Sequence, residues 1–157
     1  MIVHINTRVY GDRELYCDFA SPQGLNQKPD VIQGKGFQCR MAHPDFFIEQ
    51  IEWCDVMYLN GGETILLLEA LHRIEGWREA LKNKTICAYS AGVSALAKYS
   101  YNVDHYVLVK GTGVLPFNTI VHYTHAKQWM ADILTRRFPE FPLLLIGDND
   151  SITVRLP

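Results

Sequence analysis

The amino-acid sequence predicts an α/β protein in which helices pack on both sides of a mostly parallel sheet. Short, continuous apolar runs alternate along the chain with segments of helical spacing, and several runs end in turns of small residues. Continuous apolar runs are typical of strands that are buried on both faces. The expected architecture therefore has three layers, helix–sheet–helix. The length of 157 residues predicts one domain over residues 1–157.

The predicted elements become regular after the first forty residues. Residues 2–5 are strand-like, whereas residues 21–36 are rich in Gly, Pro, Gln, Asn and Asp and predict a loop. The periodicity of the remainder predicts helices over residues 44–51, 63–74, 76–81, 91–98 and 125–138, and strands over residues 54–59, 85–89, 106–109, 143–146 and 152–154. In the last helix, Trp129, Ile133 and Leu134 are expected to face inward.

Composition excludes several classes of function. The chain is 48% hydrophobic and 20% charged, with a net charge of −2, and its basic residues form no block that would indicate a nucleic-acid partner. No apolar stretch approaches the ~18 residues that span a bilayer, and the first residues lack the pattern of a signal peptide. The four cysteines form no C-x-x-C pair, so neither a disulfide framework nor a zinc site is expected. A reducing compartment, the cytoplasm, fits this pattern.

The segment Ala-Tyr-Ser-Ala-Gly at residues 88–92 follows an apolar run and begins a predicted helix, as a nucleophile elbow does. A tight reversal requires small residues on both sides of the serine, and Ala88 and Gly92 meet this requirement. The hydroxyl of Ser90 would then project from the tip, and the amide of Ala91 would point to the position of an oxyanion. A serine that merely caps the helix is the alternative interpretation.

A serine nucleophile needs a base in contact with it and an acid that orients the base. His122 ends an apolar run just before a helix and is the favoured base, with His125 as its competitor. Asp104 lies between serine and histidine in the chain and is a candidate for the orienting acid. Asp148 and Asp150 are its rivals, although all three could instead serve only in turns.

A second informative segment is Asn-Gly-Gly-Glu-Thr at residues 60–64, between a predicted strand and a predicted helix. Adjacent glycines let backbone amides approach a ligand closely, so Gly61 and Gly62 could bind phosphate or supply an oxyanion donor. No G-K-[ST] follows, which disfavours a phosphate-binding P-loop. A tight turn with a helix cap is the alternative.

These segments, together with His-Tyr-Thr at residues 122–124, resemble in their order and spacing the dipeptidase E and cyanophycinase family of serine peptidases. The resemblance extends over roughly residues 42–154. It implies a fold like that of class I glutamine amidotransferases, shortened at the ends, with serine in place of their cysteine nucleophile. It also implies a serine-type peptidase that needs no metal or organic cofactor.

The resemblance assigns catalytic roles to five residues. Ser90 would attack the peptide carbonyl, and His122 would act as general base and then as acid for the leaving amine. Asp104 matches the acidic member of the triad within a shift of one residue. The backbone amides of Gly62 and Ala91 would match the oxyanion donors.

The resemblance also implies a substrate, a short and N-terminal aspartyl peptide or isopeptide. Gly61, Glu63 and Lys127 are the residues expected to contact it. Glu63 replaces the usual asparagine, and Lys127 only roughly matches an arginine that binds the acidic side chain in dipeptidase E. A lysine holds a carboxylate as a point charge, without the bidentate geometry of arginine.

Two other functions remain open at the level of sequence. One is a related amidase or esterase on the same scaffold, which the changes at Glu63 and Lys127 favour. The other is a non-catalytic binding protein with a vestigial site, which the shortened ends favour. No nucleic acid or membrane is expected as a partner, and a homo-oligomer would be one way to cover an exposed sheet edge.

Overall fold

The computed structural model describes residues 1–21 and 38–157, so the loop predicted over residues 21–36 falls almost entirely outside the described residues. The strands are β1 (Ile2–Ile5), β2 (Arg13–Cys17), β3 (Gln38–Met41), β4 (Val56–Leu59), β5 (Thr85–Ala88), β6 (Tyr99–Asn102), β7 (Val107–Lys110), β8 (Asn118–Val121), β9 (Leu143–Ile146) and β10 (Ile152–Arg155). The helices are α1 (Phe47–Trp53), α2 (Thr64–His72), α3 (Trp77–Ala80), α4 (Ala91–Leu96) and α5 (Gln128–Arg137). Short 3₁₀ turns at Pro44–Phe46 and His125–Lys127 precede α1 and α5.

The strands form two sheets in which parallel pairing dominates. The larger sheet has the order β10-β1-β5-β4-β2-β3, and its pairs are parallel except for β10 with β1. The smaller sheet has the order β7-β6-β8-β9, and only β7 runs antiparallel to its neighbour. The predicted α/β class with mostly parallel strands is confirmed, and the strands divide over two sheets.

Helices cover the smaller sheet on both faces. Successive residues of a strand point to opposite faces, and β8 shows this in its contacts. Ile120 packs with Met130 and Leu134 of α5, whereas Val121 belongs to the main core, which also contains Val93 of α4. The helix–sheet–helix layering predicted from the sequence therefore surrounds β8, the strand that leads into His122.

One face of the larger sheet carries a buried carboxylate. Glu14 of β2 is 0% exposed, and its oxygens accept hydrogen bonds from the hydroxyls of Tyr16 (3.1 Å) and Tyr58 (3.2 Å). The guanidinium of Arg8 lies 3.5 Å from the same carboxylate. Burial raises the pKa of both tyrosines, so their hydroxyls stay protonated and can donate. Removal of one partner of a buried ion pair costs about 3–5 kcal/mol, and this pair ties Arg8, in the loop after β1, to strand β2.

The structure differs from the predicted elements at several points. Strands β2, β3, β6 and β8 were not predicted, so the N-terminal part contributes more of the larger sheet than its irregular sequence indicates. Trp129 is 44% exposed rather than inward-facing, whereas Leu134 is fully buried as predicted. No helix within residues 1–21 and 38–157 is long and apolar enough to cross a membrane.

Candidate active site

Parallel pairing brings the predicted site segments to the carboxyl ends of the strands. Leu59, the last residue of β4, pairs with Ala88, the last residue of β5, so the loops that follow these strands are neighbours. In the smaller sheet, Val121 pairs with Ile146 in the same way. Carboxyl ends of parallel strands are where α/β folds collect functional groups.

Ser90 stands at a strained turn between β5 and α4. Its backbone angles are φ 45° and ψ −108°, in a region that non-glycine residues rarely adopt. A Cβ atom on Gly92 would lie 2.3 Å from the carbonyl oxygen of Leu59, so only glycine fits two residues after the serine. The unusual backbone conformation of Ser90 costs about 1–3 kcal/mol and persists only where the surrounding structure enforces it. The turn thus has the geometry of a nucleophile elbow.

The side chain of Ser90 begins a chain of two hydrogen bonds. Its Oγ lies 2.8 Å from Nε2 of His122. On the other side of the ring, Nδ1 of His122 forms a hydrogen bond with Oδ1 of Asp148. With the proton on Nδ1, this nitrogen donates a hydrogen bond to the carboxylate, and Nε2 is the acceptor for the serine hydroxyl. The arrangement can therefore activate an alcohol as a nucleophile.

The carboxylate that contacts the imidazole is that of Asp148, and not that of Asp104 as expected from the sequence. Asp104 is exposed in the turn after β6, where its backbone amide donates to Oδ1 of Asn102 at 2.9 Å. Asp150 accepts a 2.6 Å hydrogen bond from the amide of Gly147, which closes the turn that holds Asp148. Asp148 reaches the imidazole because β9 pairs with β8, and the turn that follows β9 lies beside the end of β8.

The competing base, His125, does not join this chain of hydrogen bonds. It begins the short turn His125–Lys127, and its ring lies edge-on to Tyr123 with 6.2 Å between ring centroids. His122 itself has a positive φ of 53°, which directs its side chain out of the line of β8. Of the two predicted bases, the structure brings His122 to the serine.

The glycine segment after β4 packs directly on the serine. A Cβ atom on Gly61 would lie 3.2 Å from Cβ of Ser90, and one on Gly62, where φ is +135°, would lie 2.6 Å from the Ala20 carbonyl oxygen. None of the backbone hydrogen bonds found within the described residues uses the amide of Gly62 or Ala91. An oxyanion hole requires backbone amides without an internal partner beside the nucleophile, and these two amides meet that condition.

Glu63 anchors the turn after β6 to the start of α2. Its carboxylate accepts hydrogen bonds from the amide of Ile65 at 3.3 Å and from Nδ2 of Asn102 at 3.4 Å, and it pairs with Nε2 of His105 at 2.6 Å. Burial acts to raise the pKa of Glu63, but its hydrogen bonds, led by that from His105, outweigh this effect and lower the pKa. The hydrogen bond to Glu63 raises the pKa of His105. The sequence alone gave no sign of this pair, because its members lie 42 positions apart.

Lys127 reaches back to the histidine. Its Nζ donates a hydrogen bond to the backbone carbonyl of His122, and its own amide donates to the carbonyl of Thr124 at 2.9 Å. The ammonium predicted to hold a substrate carboxylate therefore already has a partner in the main chain of His122.

The environments of the four cysteines disfavour their use as nucleophiles. Burial raises the pKa of Cys17 to about 12 and that of Cys54 to about 11, and it also raises the pKa of Cys39 and Cys87. A thiol is a weak nucleophile compared with a thiolate, and these environments disfavour the thiolate. Within the part of the chain that the structure describes, no group of three or more His, Cys, Asp or Glu residues could hold a metal ion.

Comparison with known proteins identifies a fold. No family model matches the sequence, and neither does any curated protein. Among solved structures, the chain is similar to one described as a "Putative Peptidase E Protein" from Listeria monocytogenes EGD-e. The match has a TM-score of 0.63 and a sequence identity of 17%, and it covers 99% of this chain and 98% of that chain. The two proteins therefore share a fold over nearly their whole lengths, although few of their residues are identical.

Proposed function

We propose that this protein is a serine peptidase of dipeptidase E type that hydrolyses short peptides or isopeptides. The hydrogen-bonded chain from Ser90 through His122 to Asp148 is the observation that carries the proposal. The structural similarity to a protein described as a peptidase E supports it. Because the site is open, with 47% of the His122 side chain and 71% of the Asp148 side chain exposed, a small substrate can reach it without a large rearrangement.

The proposed reaction is acyl transfer to Ser90 followed by hydrolysis. Nε2 of His122 takes the proton of the Ser90 hydroxyl while Oγ attacks the substrate carbonyl, and Asp148 stabilises the imidazolium that forms. The oxyanion would accept hydrogen bonds from the amides of Gly62 and Ala91. His122 then returns the proton to the leaving amine, and the C–N bond breaks. Water, activated by the same imidazole, hydrolyses the acyl-enzyme and restores the serine.

The choice of side chain in the substrate is a separate part of the proposal. An N-terminal aspartyl residue is the substrate that the sequence resemblance implies. The described site, however, gives both charged side chains a partner other than substrate, His105 for Glu63 and the carbonyl of His122 for Lys127. These two contacts favour, as a second candidate, an amidase or esterase on the same scaffold that acts on neutral substrates.

We also place the protein in the cytoplasm. All four cysteines are free thiols, and three of them are buried. Free cysteines persist in reducing compartments, where disulfides are rare. Fractionation of cells that produce the tagged chain tests this assignment, and recovery from an oxidising compartment would contradict it.

Hydrolysis by wild type and Ser90→Ala, measured on a panel of aspartyl, asparaginyl and alanyl dipeptides and simple esters, tests the function. Ser94→Ala is the matched control, because Ser94 is a buried serine of α4, the helix that follows Ser90. Loss of turnover only in Ser90→Ala supports the serine mechanism. Equal turnover by Ser90→Ala and wild type would refute it, and turnover of esters and neutral amides without peptides would favour the second candidate.

A further inference from the structure

The base of the proposed mechanism has a main-chain conformation that needs support. His122 has a φ of 53°, in the left-handed region where a residue with a Cβ atom is strained. The residue before His122 is the last residue of β8 and is held in the sheet. On the other side, the amide of Tyr123 donates to the carbonyl of Ile146 at 2.9 Å. The carbonyl of His122 belongs to the same planar peptide unit as this amide, so a donor to the carbonyl binds the other end of the unit that follows the strained residue.

Lys127 supplies a contact to this carbonyl. Its Nζ donates to the carbonyl oxygen of His122 across the turn that separates β8 from α5. Hydrogen bonds from a charged donor are about twice as strong as those between neutral groups. The side chain is only half-buried, but the short turn His125–Lys127 and the bond from its amide to Thr124 hold the residue in place.

We infer that Lys127 is a positioning residue, which holds the strained backbone of His122 so that the imidazole faces Ser90, and is not the anchor for an acidic substrate side chain. The inference rests on the proposed function, since it concerns the base of that reaction. If the ammonium turned to a substrate carboxylate, the carbonyl of His122 would lose its charged donor at the moment when the base must act. Lys127 therefore contributes to turnover of every substrate and does not select aspartate.

The test compares Lys127→Met and Lys127→Arg with wild type on aspartyl, asparaginyl and alanyl dipeptides of otherwise identical sequence. Aspartyl and asparaginyl residues have the same shape and differ in charge, so their ratio of kcat/KM reports contact with a cation. Lys127→Met is expected to lower kcat by about 10- to 100-fold for all three substrates, because a hydrogen bond to a charged group is lost. KM and the aspartyl-to-asparaginyl ratio should each change by less than about two-fold. Arginine can donate to the same carbonyl and should restore most of kcat.

Two controls make each outcome decisive. Lys82→Met removes a lysine on an exposed turn and should leave kcat unchanged, and thermal unfolding of each variant shows whether the fold persists. A fall in activity confined to aspartyl substrates, or an unchanged kcat in a folded Lys127→Met variant, would overturn the inference. A folded wild type that cleaves no member of the panel would instead be evidence against the proposed function.

Discussion

Replacing Asp148 with asparagine removes the negative charge beside His122 and keeps the size of the side chain. In the wild type, Oδ1 of Asp148 is hydrogen-bonded to Nδ1 of the imidazole. An amide at this position can turn its NH₂ group toward Nδ1 and so favour the wrong tautomer, with the proton on Nε2. The variant therefore affects both the stabilisation of the imidazolium and the availability of Nε2 as a base.

The magnitude follows from the exposure of the pair. Opposite unit charges about 4 Å apart attract each other by about 1 kcal/mol in water and by about 4 kcal/mol at an effective dielectric constant of 20. The side chains of His122 and Asp148 are 47% and 71% exposed, so water screens the pair more than in a buried triad. We therefore expect a loss of about 2–3 kcal/mol of transition-state stabilisation, which is roughly a 30- to 150-fold reduction in kcat.

The assay is steady-state hydrolysis of the best dipeptide by wild type, Asp148→Asn and Asp104→Asn across a range of pH. Asp104→Asn is the matched control, because Asp104 is an exposed aspartate in a turn and does not contact His122 in the structure. Asp148→Asn should lose kcat, and Asp104→Asn should not. A large loss in Asp104→Asn together with a wild-type rate in Asp148→Asn would refute the assignment of the orienting acid.

Two further predictions concern stability. Gly92→Ala should lower the free energy of unfolding by at least about 2 kcal/mol, because its Cβ would meet the Leu59 carbonyl oxygen at 2.3 Å. Gly76→Ala is the control, because only the φ of +79° opposes a side chain there, and it should lower the free energy of unfolding by about 1 kcal/mol. Equal losses in the two variants, measured by urea unfolding, would contradict this account. His105→Ala should destabilise the protein most between about pH 4.5 and 6.5, where Glu63 is ionised and His105 is protonated even in the unfolded chain. The raised pKa of His105 means that its contribution disappears as pH rises through the folded-state value. A difference from wild type that is the same at pH 5.5 and pH 9 would exclude the ion pair.

The proximity of Ser90 and His122 could be predicted because the signals that single out these two residues are local. Ser90 lies between an apolar strand and a helix, with small residues at the positions where the tight turn requires them. His122 follows directly on an apolar run. Both features occur within a few residues of sequence, and the structure brings the two side chains to hydrogen-bonding distance.

The acid could not be chosen in the same way because its position depends on strand pairing. Asp148 lies 26 positions after His122 in the chain, and only the pairing of β8 with β9 places them together. Asp104 lies between the serine and the histidine in sequence, which made it a candidate, but the turn after β6 directs it elsewhere. A prediction of β9 as the parallel neighbour of β8 would have favoured Asp148.

The strands that the sequence did not predict also depend on contacts between residues that are remote in sequence. In β2, only three apolar residues follow the charged Arg13 and Glu14. Glu14 is nevertheless fully buried, because Tyr16, Tyr58 and Arg8 surround its carboxylate. Tyr58 is remote from Glu14 in sequence, and Arg8 lies in an irregular segment. A local sequence pattern therefore could not show that the carboxylate of Glu14 has partners. Trp129 shows the converse, since helical spacing assigned it to the core, whereas it stacks on exposed Tyr106 at the surface.

Mapping the site of covalent modification by a fluorophosphonate on the active enzyme tests the central claim most directly. The account predicts one modified residue, Ser90, with loss of peptide hydrolysis in proportion to labelling. Labelling should be absent in Ser90→Ala and unchanged in Ser94→Ala. Modification of a different residue that abolishes hydrolysis, with Ser90 unmodified, would contradict the claim that Ser90 is the nucleophile.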